Sequence, residues 1–145
     1  MIRIKNIVIK LVRKYRTNNP HTIASYKNVI VIREPLGSTL GYYNTYKRIK
    51  FIHINHRLDD ASQRFVCAHE LGHAILHPKI NTPFLKKHTF FSINRYEQET
   101  NEFAVELLVS DQAVYEYDTL EKVALACGVP QELIYLKKYE NFLPF

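Results

Sequence analysis

Cysteine is scarce in this chain: Cys67 and Cys127 are the only two, and no CxxC spacing occurs. That scarcity excludes a thiolate-held structural metal and leaves two free thiols, both expected to be buried. Long apolar runs are missing as well, since none approaches the roughly 20 residues that span a bilayer. The opening Met1-Ile2-Arg3-Ile4-Lys5 has no continuous apolar stretch of the kind found in a secretory leader. A cytoplasmic location without membrane contact is therefore expected. Internal repeats and low-complexity tracts are absent, which removes solenoid and linker architectures. Acidic residues are the minority charge, 14 against 20 Lys+Arg, for a net +6. The basic residues gather between Arg3 and Arg16 and in Tyr46-Lys47-Arg48-Ile49-Lys50. A solvated basic face explains them better than nucleic acid, because no groove-reading element is evident. Steering toward an acidic protein substrate is a further reading.

What is present begins with enough apolar content, 46% of 145 residues, for one domain with a core over 1–145. The most informative segment is His69-Glu70-Leu71-Gly72-His73. On a helix, residues four apart stack one above the other, so His69 and His73 can offer two imidazoles to one ion. Glu70 is turned about 100° away from His69 around the helix and can act as a general base. Zinc lowers the pKa of bound water to roughly 7, and a carboxylate within reach can take its proton as it attacks a carbonyl. The surroundings support a helix here. Asp59 and Asp60 supply a cap, Phe65, Ala68, Leu71, Gly72, Ile75 and Leu76 form an apolar stripe, and Pro78 stops it.

A catalytic zinc keeps three protein ligands, so a third is needed. Leu76 and Lys79 stand where a metzincin would have Gly and His. His77 lies on the same face, but three histidines along one straight helix cannot converge on one ion, so it reads as a supporting or helix-terminal residue. His88 in the following loop is a weaker candidate. A second helical pattern has its apolar positions at Tyr96, Thr100, Phe103, Ala104, Leu107 and Leu108. Glu97 and Asn101 sit four apart on the edge of that stripe, so Glu97 can point at the metal with Asn101 above it. Glu99 is the alternative, while Glu99, Glu102 and Glu106 otherwise read as a solvated acidic face.

Ala68-His69-Glu70-Leu71-Gly72-His73, followed by Glu97-Gln98-Glu99-Thr100-Asn101-Glu102-Phe103-Ala104-Val105-Glu106-Leu107-Leu108, resembles the ImmA/IrrE-type metallopeptidases. That family often shows AHELGH and then ExEANxFAxxLL, and the likeness runs from the first helix to about Leu136. It implies one zinc on His69, His73 and Glu97, in a gluzincin-like arrangement, with Glu70 as catalytic base. It also implies a zincin-like domain carried by bacteria, phages or mobile elements, in which an edge strand binds the substrate backbone. Several members act as antirepressors that cleave a helix-turn-helix repressor, so a repressor is the implied protein substrate. Thr100 departs from the usual Ala beside the ligand helix. Ser110-Asp111 departs from the usual Met-Pro and affects how that helix ends.

Around these motifs the expected class is α+β. Ile4, Ile7, Val8, Leu11, Val12 and Tyr15 predict a first helix, and Pro20 opens a second that runs to Tyr26. Val29 to Ile32, Leu40 to Tyr46 and Arg48 to Ile54 predict a short, mainly antiparallel three-stranded sheet that buttresses the zinc helix. The helices and sheet occupy 1–58, the zinc helix about 59–77, a loop 78–93, the second ligand helix about 94–109 and C-terminal helices 110–140. The loop is long enough to form a cleft wall, in which Phe84, Phe90 and Phe91 are candidates for a side-chain pocket. Tyr96 or His88 is the candidate to stabilise a tetrahedral oxyanion. The tail, with Asp118-Thr119-Leu120-Glu121 and a Gly128-Val129-Pro130 turn, predicts a helical pair that mimics helix-turn-helix but completes the core.

The leading expectation is a zinc endopeptidase acting on a regulatory protein. The rival is a zinc-containing regulatory binding protein that works on a partner, or on DNA, without hydrolysis. Duplex DNA titrated at low salt is expected to show no binding; salt-dependent binding would restore the DNA-regulator reading.

Overall fold

The computed structural model describes residues 2–80, 84–86 and 90–139. The amphipathic spacing of Ile4, Val8 and Leu11 buries one face of α1 (Arg3–Tyr15) and leaves Arg13 and Lys14 in the last turn, where cations complement the carbonyl end. Asn19 accepts the His21 amide and Pro20 opens α2 (Pro20–Tyr26), as proline at a first helical position should. Three strands follow, β1 (Val29–Glu34), β2 (Gly41–Tyr46) and β3 (Ile49–Asn55). The helices α3 (Asp60–Leu76), α4 (Arg95–Leu108), α5 (Asp111–Glu116) and α6 (Leu120–Cys127) come next, with a closing 3-10 helix, Gln131–Leu136.

The class is α+β, but the sheet is mixed rather than mainly antiparallel. Its order is β1-β3-β2, with β1 parallel to β3 and β2 antiparallel to it. The reason lies in the connections. Lys47-Arg48 folds β2 straight back on β3, which leaves only the other edge of β3 for β1. Residues 35–48, including β2 itself, supply the long crossover that a parallel pair needs. On the inner face Val29, Tyr43, Ile52 and Ile54 join the core under α2 and α3. On the outer face His53 is held between Glu34 at 2.6 Å and Asn44 at 2.7 Å and stacks on Tyr42.

The segment after α3 returns to the sheet. The Leu40 amide donates to Leu85 O and the Leu85 amide to Gly41 O, so buried Leu85 bridges the start of β2. Of the three loop phenylalanines, Phe90 packs edge-on against Phe65 of the core, Phe84 lies tilted on Tyr42 and is half exposed, and Phe91 is exposed. No described helix is long and apolar enough to cross a membrane.

Further expectations change in and around the C-terminal half. Ser110-Asp111 does more than end α4: the Ser110 hydroxyl accepts the Ala113 amide and starts α5. Glu106 is not on a solvated face. It is buried against Lys137 at 2.7 Å and accepts the Lys138 amide at 2.8 Å. The closing 3-10 helix carries Lys137 back onto α4, and breaking such a buried pair from one side typically costs about 3–5 kcal/mol. Lys137 also lies 3.0 Å from Asp111, which is bound in turn by Lys5 at 2.7 Å, so these lysines are internal ties rather than a free basic face. Cys67 is buried, and burial pushes its thiol up to about 12; Cys127 is only partly buried.

Lys47 and Arg48 both take positive φ, 50° and 67°, as a two-residue hairpin of this hand requires. A side chain in that region costs on the order of 1–2 kcal/mol per residue. Replacing the pair with Asn-Gly is expected to raise unfolding stability by about 1 kcal/mol, read as a higher urea midpoint at unchanged slope.

Candidate metal centre

The helix that carries the histidines is capped and enclosed. Asp59 Oδ1 accepts the Ser62 amide at 2.8 Å at one end, and the His77 amide donates to His73 O at the other. Every residue from Phe65 to Ala74 is buried, because the sheet, α2 and α4 surround this stretch of α3. His69, Glu70 and His73 are wholly inaccessible to solvent. Their ligating atoms all lie within 4.8 Å of one another.

Glu97 arrives from α4. Asn94 Oδ1 accepts the amides of Tyr96 and Glu97 at 2.8 and 3.3 Å, which fixes the first turn of that helix and aims the Glu97 side chain inward. Its carboxylate oxygens lie 3.3 Å from His69 Nε2 and 2.8 Å from His73 Nε2. None of these atoms makes a directional hydrogen bond, although all are buried. Lone pairs converging on a common point without hydrogens between them are the pattern a cation satisfies. Tetrahedral zinc with ligands at 2.0–2.1 Å would place them about 3.3 Å apart, so the donors fit. Both oxygens of Glu70 are likewise buried and without a hydrogen-bond partner.

The approach of α4 to α3 depends on Gly72. A Cβ there would overlap the Thr100 hydroxyl and sit 3.1 Å from the Phe103 ring. The same hydroxyl donates to His69 O, clamping the backbone of the ligand helix to α4. Asn101, one turn after Glu97, places Oδ1 2.9 Å from His69 Nδ1, where it accepts that proton and leaves Nε2 for a ligand. His73 Nδ1 faces His77 Nδ1 at 3.3 Å, and His77 Nε2 lies 2.7 Å from Glu99 Oε1. Glu99 is thus committed to His77 and to Arg3 at 2.7 Å, away from the centre that Glu97 occupies.

Burial raises the Glu70 carboxyl well above the ordinary range, and the nearby Glu97 charge pushes it the same way. Burial would also raise Glu97, but the contacts with His69 and His73 outweigh it and bring this carboxyl down to about 2. Burial lowers His73 and His77, against the upward pull of Glu97 and Glu99 respectively, so their neutral forms are favoured. The start of β2 reaches the same place. A Cβ on Gly41 would overlap Val66, lie 2.6 Å from His53 O and come within 3.8 Å of Glu70 Cγ, so the strand backbone passes directly over the Glu70 side chain.

The fold therefore brings His69, Glu70, His73, Glu97 and Asn101 together and puts His77 and Glu99 behind His73. Tyr96 packs edge-on against His77, with ring centroids 4.8 Å apart, as part of that support. His88 lies outside the described residues. Thr100 and Gly72 carry more weight than their places in an apolar stripe suggested. Arg3 lay in a basic run and gave no local sign of reaching Glu99.

Comparison with known proteins places the chain in a family. Residues 24–135 match the family model for the IrrE N-terminal-like domain, Peptidase_M78. The chain is 50% identical to "Uncharacterized immunity region protein 2" of Bacillus phage phi105, over 98% of this chain and 93% of that protein. It is 31% identical to "Metallopeptidase ImmA" of Bacillus subtilis (strain 168), over 78% of this chain and 67% of that protein. The chain belongs to the IrrE N-terminal-like, ImmA/IrrE-type family of metallopeptidases.

Replacing Gly72 by Ala is expected to destabilise the fold by about 1–3 kcal/mol through overpacking. Adding Thr100→Ala should return part of that loss, so a double-mutant cycle by denaturant unfolding would show coupling; additive losses would place the clash elsewhere.

Proposed function

We propose that this protein is a zinc-dependent endopeptidase that hydrolyses a peptide bond in a helix-turn-helix transcriptional repressor. The observation that carries the reading is the convergence of His69 Nε2, His73 Nε2 and the Glu97 carboxylate, all buried and without directional hydrogen bonds, beside an unpartnered Glu70. His69, His73 and Glu97 hold the metal, which when bound supplies a Lewis acid and brings water into reach of deprotonation near neutral pH. Glu97 contributes the one negative charge of that set. Asn101 keeps His69 in the tautomer that leaves Nε2 open.

Glu70 is the general base. It takes a proton from the water that attacks the peptide carbonyl carbon and returns one to the amine nitrogen as the C–N bond breaks. Its carboxylate oxygens, buried and without a hydrogen-bond partner beside His69 and His73, are placed for that exchange. Gly41 lets the start of β2 pack closely on Val66 beside Glu70, and a cavity of about 310 Å³ on the same side of α3, with Leu40, Phe65, Val66, Phe90 and Val129 in its lining, suits an apolar substrate side chain. The choice of a repressor draws on the phage immunity-region relative and on ImmA, whose names point to immunity control and to peptidase activity.

Glu70→Gln is expected to leave one zinc per chain while cutting the rate of repressor cleavage by 10²-fold or more, read by co-expression with candidate helix-turn-helix repressors. Full biological effect from that variant would instead favour a regulatory protein that binds its partner without hydrolysis.

A further inference from the structure

We infer that His77 and Glu99, anchored by Arg3, form a positioning chain that holds His73 in its metal-binding tautomer and sets how tightly the ion is held. This rests on the metal-centre reading above. The direction of each hydrogen bond follows from the donor inventory. A carboxylate only accepts, so at 2.7 Å from Glu99 Oε1 the His77 Nε2 must carry its hydrogen and donate. A neutral imidazole has one N–H, which leaves His77 Nδ1 as an acceptor. His73 Nδ1, 3.3 Å away and buried, then carries the hydrogen it donates to His77, and the His73 lone pair is at Nε2, the atom that faces Glu97.

The two ligand histidines are therefore held differently. His69 leans on a neutral amide, Asn101. His73 leans, through a second imidazole, on a carboxylate, the arrangement that raises the basicity of a metal-bound histidine. Capping does not explain His77: its backbone amide already satisfies His73 O, leaving the ring free for another task. Tyr96 packs edge-on against that ring and restrains its orientation.

The outer end of the chain comes from a different part of the molecule. Arg3 Nη2 lies 2.7 Å from Glu99 Oε2, the oxygen not used by His77, whereas Arg95 stands 3.7 Å away on a largely exposed side chain. Arg3 belongs to α1, which precedes the segment matched by the family model. The first helix of this protein thus tunes a metal ligand that the matched segment provides.

Zinc affinity of the full chain, measured by competition with a chromophoric chelator, tests the chain of contacts. Wild type should take up one zinc, Glu99→Ala should bind it 10- to 100-fold more weakly, and Glu99→Gln, which still accepts from His77, should recover part of the loss. Arg3→Met should weaken binding less and add nothing in the Glu99→Ala background. ¹⁵N NMR of the zinc-loaded wild type should show His73 protonated at Nδ1. Equal affinity of wild type and Glu99→Ala, or zinc bound through His73 Nδ1, would overturn the positioning role while leaving the metal centre standing. Absence of zinc from the wild type would overturn both.

Discussion

The close contact of α3 and α4 at Gly72 is the constraint on which the rest of the structure depends. Two ligands from one helix cannot define a three-ligand site, so the geometry is decided by how near the second helix comes and at what register. The missing Cβ at Gly72 admits Thr100, and Thr100 bonds the backbone of His69 itself. With that contact set, helical spacing carries Glu97 to the histidine nitrogens one turn before Thr100 and brings Asn101 to His69 Nδ1. The Thr100 hydroxyl thereby ties the two helices together.

Around that contact the protein gathers an unusual density of buried polar groups. Each buried polar atom needs a partner, and the ring nitrogens that point away from the centre all have one: Asn101 for His69, His77 for His73, Glu99 for His77. The atoms without directional partners are confined to the centre and to Glu70. Satisfied groups on the outside and open ones on the inside are what distinguishes a site built for a ligand from an ordinary buried network. The same logic governs the distant pair of Glu106 and Lys137, where every charge is matched, and that pair serves the fold.

Much of this was legible along the chain because the signals are local. The extents of α1, α2, α3 and α4 follow from periodicity and capping residues, and the structure places them within about a residue of expectation, as end effects allow. His69, Glu70 and His73 declared themselves through spacing on one helix. The position of Glu97 on the edge of an apolar stripe favours it over Glu99, and the structure puts it nearest the histidines. The differences share a cause. Glu106 looks solvated until a segment about 30 residues later covers it, Ser110 looks like a terminator until its hydroxyl is seen capping a new helix, and the parallel direction of β1 is decided only when the tight hairpin claims one edge of β3.

Local chemistry therefore specifies which helices form and which two imidazoles and which carboxylate they display, since caps, periodicity and i, i+4 spacing act within a few residues. Long-range packing specifies the assembly: which acid faces the histidines, which one backs them, the parallel pairing of β1, and the reach of Arg3 to Glu99. Those outcomes turn on contacts between residues about 20 to 100 positions apart, and nothing in the neighbourhood of either partner announces the other.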